Sequence, residues 1–301
     1  MPWNMSISRI IHSVLNKVAR RSYWYNNIVF ADCAKFWYHR TFDMDVVNLG
    51  SSSALAAFDY SAFPQLKTAN WAMAPQTLVA DFEILRNYSC YLKKGATVII
   101  PLCPFSCLGG SNDDLADKYY TILNLASMPH ASYRRQQQQM QIKNSPWRYY
   151  PFAQLLARNP KKKTIETSCF EADAIMRMES WRKEFSMIRF SDSLSLVNKD
   201  AFDDGTELLS QMFDYCIERG FNPVFVLPPV SEAMRKQFTP QMKQLFIDDF
   251  VKKGVAGKAK FLDYFADTRF GDDCFLNSFF MNGVGAKRFT EIVLKEMGLV
   301  G

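Results

Sequence analysis

The stretch Asp45-Val-Val-Asn-Leu-Gly-Ser-Ser-Ser53 predicts a buried strand that ends at a tight turn. Its short apolar run stops at Gly50, three serines follow, and helix-forming residues continue to Tyr60. Such a run is typical of a parallel strand that leads into a helix. Residues 50–53 are called the serine turn below. Its amides and hydroxyls favour an anion, and one serine becomes a nucleophile if a base stands beside it. The alternative is that a serine only caps the helix.

Four more apolar segments, separated by stretches of helical periodicity, extend this pattern along the chain. The predicted strands are Leu66–Trp71, Ala96–Leu102, Pro223–Pro229 and Lys260–Tyr264. The predicted helices are Leu78–Leu92, Asp204–Glu218, Glu232–Lys253 and Gly285–Met297, and Lys93-Lys94-Gly95 is expected to end the first of them. This alternation predicts a five-stranded parallel sheet covered by helices on both faces, which is a three-layer α/β/α fold.

The expected organisation is one domain over residues 1–301, with an N-terminal helical segment at 1–40 and a helical insertion at about 108–200. The apolar stripe of Ile7–Val18 either contacts a membrane surface or packs on the domain. The basic clusters Arg134–Arg135 and Lys161–Lys163 either touch a polyanion or form solvated faces.

Composition excludes several classes of protein. The net charge of +6 is spread along the chain and no nucleic-acid recognition motif is present, so no nucleic-acid partner is predicted. Seven cysteines at irregular spacings, without paired histidines, predict no zinc site, and no motif for another metal or a cofactor is present. No apolar run reaches membrane-spanning length, and no signal-peptide core is seen. With an odd number of thiols, these features predict a cytoplasmic protein.

Three motifs resemble the SGNH/GDSL hydrolase superfamily, and most closely its branch of polysaccharide and teichoic-acid acyl-transfer proteins. They are Asn48-Leu-Gly-Ser-Ser52, Val226-Leu-Pro-Pro-Val230 and Phe275-Leu-Asn-Ser-Phe-Phe-Met-Asn-Gly-Val-Gly-Ala-Lys-Arg-Phe-Thr290. The last, called the closing block below, matches the family form Phe-x-Asp-x-x-His-Leu-Asn-x-x-Gly-Ala-x-x-Phe-Thr. The resemblance implies an SGNH-like domain with flavodoxin-like strand order and Ser52 at the nucleophile position.

The same alignment implies that the catalytic pair is lost. Asn277 stands at the family's Asp and Phe280 at its His. A phenyl ring takes no proton from a serine, and an amide does not stabilise an imidazolium. We expect Phe280 to pack against the serine turn, where an imidazole would otherwise lie. The resemblance also places Gly50, Ser51, Ser53 and Asn282 at the site.

The oxyanion donors of the family are also in doubt. In the loop Met73–Gln76, Pro75 would supply no N–H, whereas Ala74 would, and Gln76 lies beside them. The segment Pro101-Leu-Cys-Pro104 lacks the family's Asn. Cys103 is a nucleophile only in principle, since no histidine or basic neighbour is seen to activate its thiol.

The remaining candidates for a base are few. His12, His39 and His130 are the only histidines, and His130 reaches the site only if the insertion folds over it. Asp272 and Asp273 precede the closing block and are expected in a polar loop.

Two functions therefore remain open. One is a catalytically impaired relative of these hydrolases that binds a carbohydrate or an acyl ester, with surface-polysaccharide metabolism as the family context. The other is an active esterase or O-acyltransferase on an acylated carbohydrate, with Ser52 and a non-standard base. The sequence leaves undecided whether the chain is an enzyme.

Overall fold

Five parallel strands form one sheet in the computed structural model of this protein. The structure describes residues 32–33, 35–36, 41–74, 76–108, 119, 122–123, 169–187, 190, 194–255 and 257–301. The strands are β1 (Met44–Asn48), β2 (Thr68–Asn70), β3 (Leu92–Pro101), β4 (Asn222–Leu227) and β5 (Lys260–Asp263). Their spatial order is β2-β1-β3-β4-β5.

Helices occupy the connections that the structure describes. They are α1 (Ser52–Ala57), α2 (Leu78–Tyr88), α3 (Phe170–Glu184), α4 (Leu196–Glu218), α5 (Glu232–Arg235), α6 (Pro240–Lys243), α7 (Asp249–Val255) and α8 (Gly283–Glu296). Short 3₁₀ turns lie at Ser89–Tyr91, Ser106–Leu108 and Asp272–Cys274, and a π turn at Gln244–Asp248 joins α6 to α7.

The strand order determines which helices share a face of the sheet. The chain moves outward from β1 to β2 and then reverses to reach β3, so right-handed crossovers put α1 and α2 on opposite faces. In agreement, α1 packs against α8, and α4 packs against α2 and α7. The predicted parallel sheet with helices on both faces is confirmed, and the order is the flavodoxin-like one.

The core on the α1 and α8 face is continuous from the sheet into both helices. Val46, Ile99 and Val224 from three neighbouring strands pack with Ala54 of α1 and Phe289 of α8, all of them buried. Because β1, β3 and β4 lie inside the sheet, both their faces are covered. This explains why their sequences are apolar runs and do not alternate with polar residues.

The chain divides into two compact units. One comprises Met1–Arg40 and Asp114–Lys163, and the other Thr41–Asp113 and Thr164–Gly301. The sheet and its helices belong to the second unit. Most of the first unit lies outside the described residues, as do the stripe at Ile7–Val18, both basic clusters and all three histidines. The single domain over residues 1–301 stays a prediction. The predicted helical insertion is described only in part, and α3 and the start of α4 are helical.

Three predicted element boundaries were wrong. Lys93-Lys94-Gly95 does not end a helix but lies in β3, where an irregularity shifts the register from Met44↔Leu92 to Val46↔Thr97. The second wrong boundary is the start of α4, which lies at Leu196 and not at Asp204. The helix begins there because the Ser195 side chain accepts a hydrogen bond from the Asn198 N–H and so forms an N-cap.

The third wrong boundary concerns the long helix predicted over Glu232–Lys253. It is broken before Pro240, which has no N–H to continue the helix and starts α6 behind the cap Thr239. The chain from Pro240 then continues through the π turn into α7.

Candidate functional site

The serine turn lies at the reversal point of the strand order. Gly50 follows β1 and Cys103 follows β3, and these two strands are neighbours in the sheet. The connections from their carboxyl ends run to opposite faces, so the chain leaves a crevice between them, which is where open α/β sheets bind ligands. The Ser53 Oγ and the Cys103 Sγ lie 3.0 Å apart and form a hydrogen bond across this point.

Gly50 has a backbone conformation that other residues rarely adopt. Its φ is +109°, and a Cβ at this position would lie 2.5 Å from the Cβ of Ala54. The close approach of the Gly50 backbone to Ala54 lets α1 begin directly after the end of β1. The Gly50 carbonyl accepts a hydrogen bond from the Met73 N–H at 3.1 Å, which joins the turn to the loop after β2. Glycine is therefore required here by both conformation and space.

A buried carboxylate is hydrogen-bonded to the backbone of the serine turn. Asp81, in the first turn of α2, is 2% exposed, and its Oδ1 accepts the Gly50 N–H at 2.7 Å. The same oxygen accepts a hydrogen bond from the Gln76 side-chain amide. Burial raises the pKa of Asp81 to about 7, against the opposite effect of these two hydrogen bonds. Asp81 thus links the serine turn, the loop after β2 and α2.

Sequence reasoning missed Asp81, although one signal was present. The residue stands three positions after Leu78 and four before Leu85, so it shares the apolar face of α2. A carboxylate on a buried helix face requires polar partners, because its desolvation is otherwise uncompensated. Here those partners are the Gln76 side-chain amide in the adjacent loop and the Gly50 N–H of the serine turn.

The three serines of the turn have three different environments. Ser51 is the N-cap of α1, but its side chain makes no capping bond and its Oγ accepts the Gln76 N–H at 3.1 Å. Ser53 is buried and bonded to Cys103. Ser52 is the first residue of α1 and is partly exposed, and no side chain in the described part of the chain hydrogen-bonds to its hydroxyl. The predicted nucleophile position is therefore the one serine whose side chain has no structural bond there.

The thiol of Cys103 is not activated by its surroundings. Burial raises the pKa of Cys103 to about 11, the Asp81 charge adds to the rise, and the hydrogen bonds with Ser53 and Ser106 oppose it. The thiol is thus protonated at neutral pH, as the sequence predicted. Its role in the structure is to bond Ser53, which joins the end of β3 to α1.

The closing block is stabilised by two asparagines. Asn277 is fully buried, and its Oδ1 accepts the N–H groups of Phe279 at 3.0 Å and Phe280 at 2.8 Å. Asn282 is the N-cap of α8, with its Oδ1 accepting from Val284 and Gly285. Both asparagines hold the backbone of the block, and neither oxygen is aimed at an imidazole.

Phe279 and Met281, and not Phe280, line the cavity beside Ser53. This cavity has a volume of about 10 Å³, close to what a single water requires. Leu102 and Pro229, which lie just after β3 and β4, are also among the residues that line it. The structure thus differs from the predicted packing of Phe280 on the serine turn, since the hydrogen bonds of Asn277 give the block its own tight turn.

Phe280 contacts helix α3. The Arg177 guanidinium carbon lies 4.9 Å from the centroid of the Phe280 ring and 5.3 Å from that of Phe279. Such cation–π contacts favour an arginine that is partly removed from water. The position that the resemblance assigns to the catalytic His is therefore used for contact with a neighbouring helix.

The other predicted site residues fall into two groups. Ala74 and Gln76 are described, in the loop that contacts the serine turn, whereas Pro75 lies outside the described residues. Asp272 and Asp273 are exposed in a 3₁₀ turn, which confirms the predicted polar loop. His12, His39 and His130 lie outside the described residues, so a role for any of them stays a prediction.

The described residues contain neither a candidate metal cluster nor a candidate membrane-spanning helix. No three His, Cys, Asp or Glu side chains among them are grouped so as to hold a metal ion. None of the described helices has the length and apolar character needed to cross a membrane.

Comparisons with known proteins were made for the whole chain. No protein-family model matches it. No curated protein matches it at a significant level. The geometry at the ends of β1 and β3, together with the closing block, is therefore the basis for a proposal about function.

Proposed function

We propose that this chain is a non-catalytic relative of the SGNH/GDSL hydrolases that retains the serine turn as a binding scaffold. The observation that carries the proposal is the environment of Ser52. Its hydroxyl lies at the start of α1 without a hydrogen-bonded base among the described residues. A serine hydroxyl without a base is a poor nucleophile at neutral pH.

The two positions that would complete a catalytic triad have other roles. The Asn277 amide is bonded to the backbone of its own turn, and the Phe280 ring lies against Arg177. An imidazole oriented by a carboxylate is what converts serine into a nucleophile in such triads. These contacts support a block that maintains the shape of the site and has no part in proton transfer.

Asp81 does not serve as a substitute base for Ser52. Its Oδ1 is bonded to the Gly50 N–H and the Gln76 amide, on the buried side of the turn. A base must reach the hydroxyl within hydrogen-bond distance. Asp81 therefore supports the backbone conformation of the turn, which a binding scaffold also requires.

The lining of the cavity favours an acyl group as the part of a ligand that would lie next to the turn. Leu102, Pro229, Phe279 and Met281 are apolar, and Ser53 contributes a polar atom. Apolar walls with a few polar groups are typical of small-molecule sites. An acylated carbohydrate fits this chemistry, and surface-polysaccharide metabolism remains the context that the resemblance suggests, by analogy of fold.

The cysteines support a reducing compartment for this function. None of the seven forms a disulfide in the structure, and Cys33, Cys107, Cys216 and Cys274 are buried. Proteins of oxidising compartments commonly pair their cysteines. We infer a cytoplasmic location, which fractionation of the producing cells would test.

The test of the proposal compares the wild-type protein with Ser52→Ala. Both are incubated with short acyl esters and with a serine-reactive fluorophosphonate, after circular dichroism has shown that they are folded. We expect no turnover and no label on either protein. Turnover and labelling that disappear together in Ser52→Ala would instead establish an active esterase or O-acyltransferase with a base outside the described residues, and the search would begin at His130.

Binding is tested separately with acylated glycans. The wild-type protein is applied to O-acylated polysaccharide fragments and to the same fragments after mild alkaline de-O-acylation. We expect the protein to be retained only on the acylated fragments, because a de-O-acylated sugar has no acyl group to contact the apolar wall of the cavity. Equal retention, or none on either, would contradict an acyl-binding role.

A further inference from the structure

Helix α3 presents one face to the closing block. Asp173, Arg177 and Trp181 are spaced by four residues, so they lie along one side of the helix. The Asp173 Oδ2 accepts the Ser278 N–H at 3.0 Å and also the Ser278 hydroxyl. Arg177 covers Phe279 and Phe280, and the Trp181 ring meets that of Phe279 edge-on, with centroids 5.0 Å apart.

These contacts hold Phe279 in place beside Ser53. Phe279 is buried and lines the cavity at the serine turn, with Arg177 and Trp181 on the side of α3. Its ring therefore separates the serine turn from helix α3. As long as α3 remains attached, the cavity is limited to about 10 Å³, about one water molecule.

Apolar burial along α3 is sparse, although its first residue, Phe170, is partly buried and packs against the core on the α1 and α8 face. Of its 15 residues only Ala174 and Met178 are buried, and Ile175 and Met176 are exposed. Helices with few buried apolar contacts open at lower free energy than the core elements of the same protein.

The two halves of α3 are anchored differently. The carboxyl-terminal half is anchored by rings, with Phe105 5.3 Å from Trp181 and 5.8 Å from Phe185, centroid to centroid. The amino-terminal half is anchored by Phe170, which packs against the core, by the carboxylate of Asp173 and by Arg177; the last two also pair with each other at 3.4 Å. Loss of the Asp173 bonds would thus weaken the contact of this half with the closing block.

We propose that α3 is a strap over the serine turn, whose amino-terminal half detaches from the closing block as a unit and thereby lets Phe279 leave the cavity beside Ser53. This regulates access to the binding site, and its relevance to ligands rests on the function proposed above. It explains how a cavity the size of one water can accept an acyl group. The opening itself is a property of the fold and is measured without any ligand.

Native-state hydrogen exchange of the wild-type protein tests the opening directly. We expect the amides of residues 174–180 and of Ser278 to share one protection factor, about 100-fold or more below that of β3. The amides of α8 serve as the internal reference for a firmly packed helix. Exchange of α3 only together with β3, in global unfolding, would overturn the proposal.

Asp173→Ala identifies the latch, with Glu179→Gln as its matched control. Glu179 pairs with Arg182 at 2.6 Å and with Lys183 at 3.6 Å on the same helix, so the control also removes ion pairs of α3. We expect Asp173→Ala to lower the protection of residues 174–180 by about ten- to a hundredfold, the usual effect of losing hydrogen bonds to a charged group. Glu179→Gln should leave it within about twofold. Equal effects of the two variants would contradict a latch at Asp173.

Cys103 provides a second measurement at the site itself. Cys90 and Cys169 are the exposed thiols, so both are first replaced by alanine, since a serine at the N-cap position Cys169 would add a capping group to α3. In that background, Asp173→Ala should increase the rate of alkylation of Cys103, which is partly exposed, about tenfold at fixed pH, since opening removes Phe279 from beside its hydrogen-bond partner Ser53. An unchanged rate in a folded variant would show that α3 does not control access to the turn. Neither measurement depends on whether the protein binds acyl groups, so failure of the strap and failure of the proposed function are distinguishable.

Discussion

The carboxylate of Asp81 accepts the backbone N–H of Gly50 at 2.7 Å, and so joins the first turn of α2 to the end of β1. The two residues are 31 positions apart in the sequence. The positive φ of Gly50 lets the turn point this N–H toward the protein interior. The N–H in turn compensates the burial of the Asp81 carboxylate, which would otherwise have lost its hydration without a hydrogen-bond donor.

Removal of this carboxylate should destabilise the protein strongly. In Asp81→Ala the Gly50 N–H and the Gln76 amide lose their shared acceptor inside the protein. We expect a loss of about 2–4 kcal/mol in the free energy of unfolding, measured by urea denaturation. Asp81→Asn is the control, since its carbonyl oxygen still accepts the Gly50 N–H, and it should lose less than half as much. Equal losses of unfolding free energy in the two variants would show that the hydrogen-bond acceptor at position 81 does not account for the stabilisation.

The raised pKa of Asp81 predicts an unusual dependence of stability on pH. The folded protein binds the Asp81 proton up to about pH 7, whereas the unfolded chain releases it near 3.8. Between these values the folded state holds more protons, so the contribution of Asp81 to stability is fully present below pH 3.8 and is lost as the pH rises through 7.

The measurement is the difference in unfolding free energy between wild type and Asp81→Asn from pH 4 to pH 8. Subtraction removes the contributions of other groups, such as Asp45, whose lowered pKa has the opposite effect. We expect the wild type to lose stability relative to Asp81→Asn as the pH rises. A flat difference would mean that Asp81 titrates near its ordinary value.

Gly50→Ala should be costly for two separate reasons. The new Cβ would lie 2.5 Å from that of Ala54, and φ is +109°. Gly95→Ala is the matched control, because Gly95 also has a positive φ, of +78°, but nothing lies within 4 Å of a Cβ there. We expect about 3–5 kcal/mol of destabilisation at Gly50 and about 1–2 kcal/mol at Gly95, by thermal or urea unfolding. Similar losses at both positions would indicate that the turn relaxes.

Asn282→Ala tests the structural role of the closing block. The Asn282 side chain caps α8 through two N–H groups, so its loss should cost about 1–2 kcal/mol in unfolding free energy. Asn282→Asp keeps the capping oxygen but loses the amide that donates to the Asp273 and Phe275 carbonyls, so it should restore only part of the lost stability. If Asn282→Ala left the free energy of unfolding unchanged but reduced ligand retention, the residue would instead be assigned to binding.

Much of the fold was predictable because it depends on local patterns. Buried parallel strands require apolar runs, and the run before Gly50 and the run before Pro228 are both visible in the sequence. Their alternation with helical segments implied the sheet, and the order β2-β1-β3-β4-β5 matches the expected one. Errors concentrated at boundaries such as Lys93-Lys94-Gly95, where a strand irregularity has no clear local signature.

The site was predictable only in its parts. The sequence by itself determined that a glycine and three serines follow the apolar run of β1. Only the tertiary structure decided that Asp81 supports the turn, that Ser53 pairs with Cys103, and that Phe279 is the ring beside it. The physical reason is distance along the chain. A turn depends on the conformations of adjacent residues, whereas a buried hydrogen bond depends on which segments the packed sheet and helices bring together.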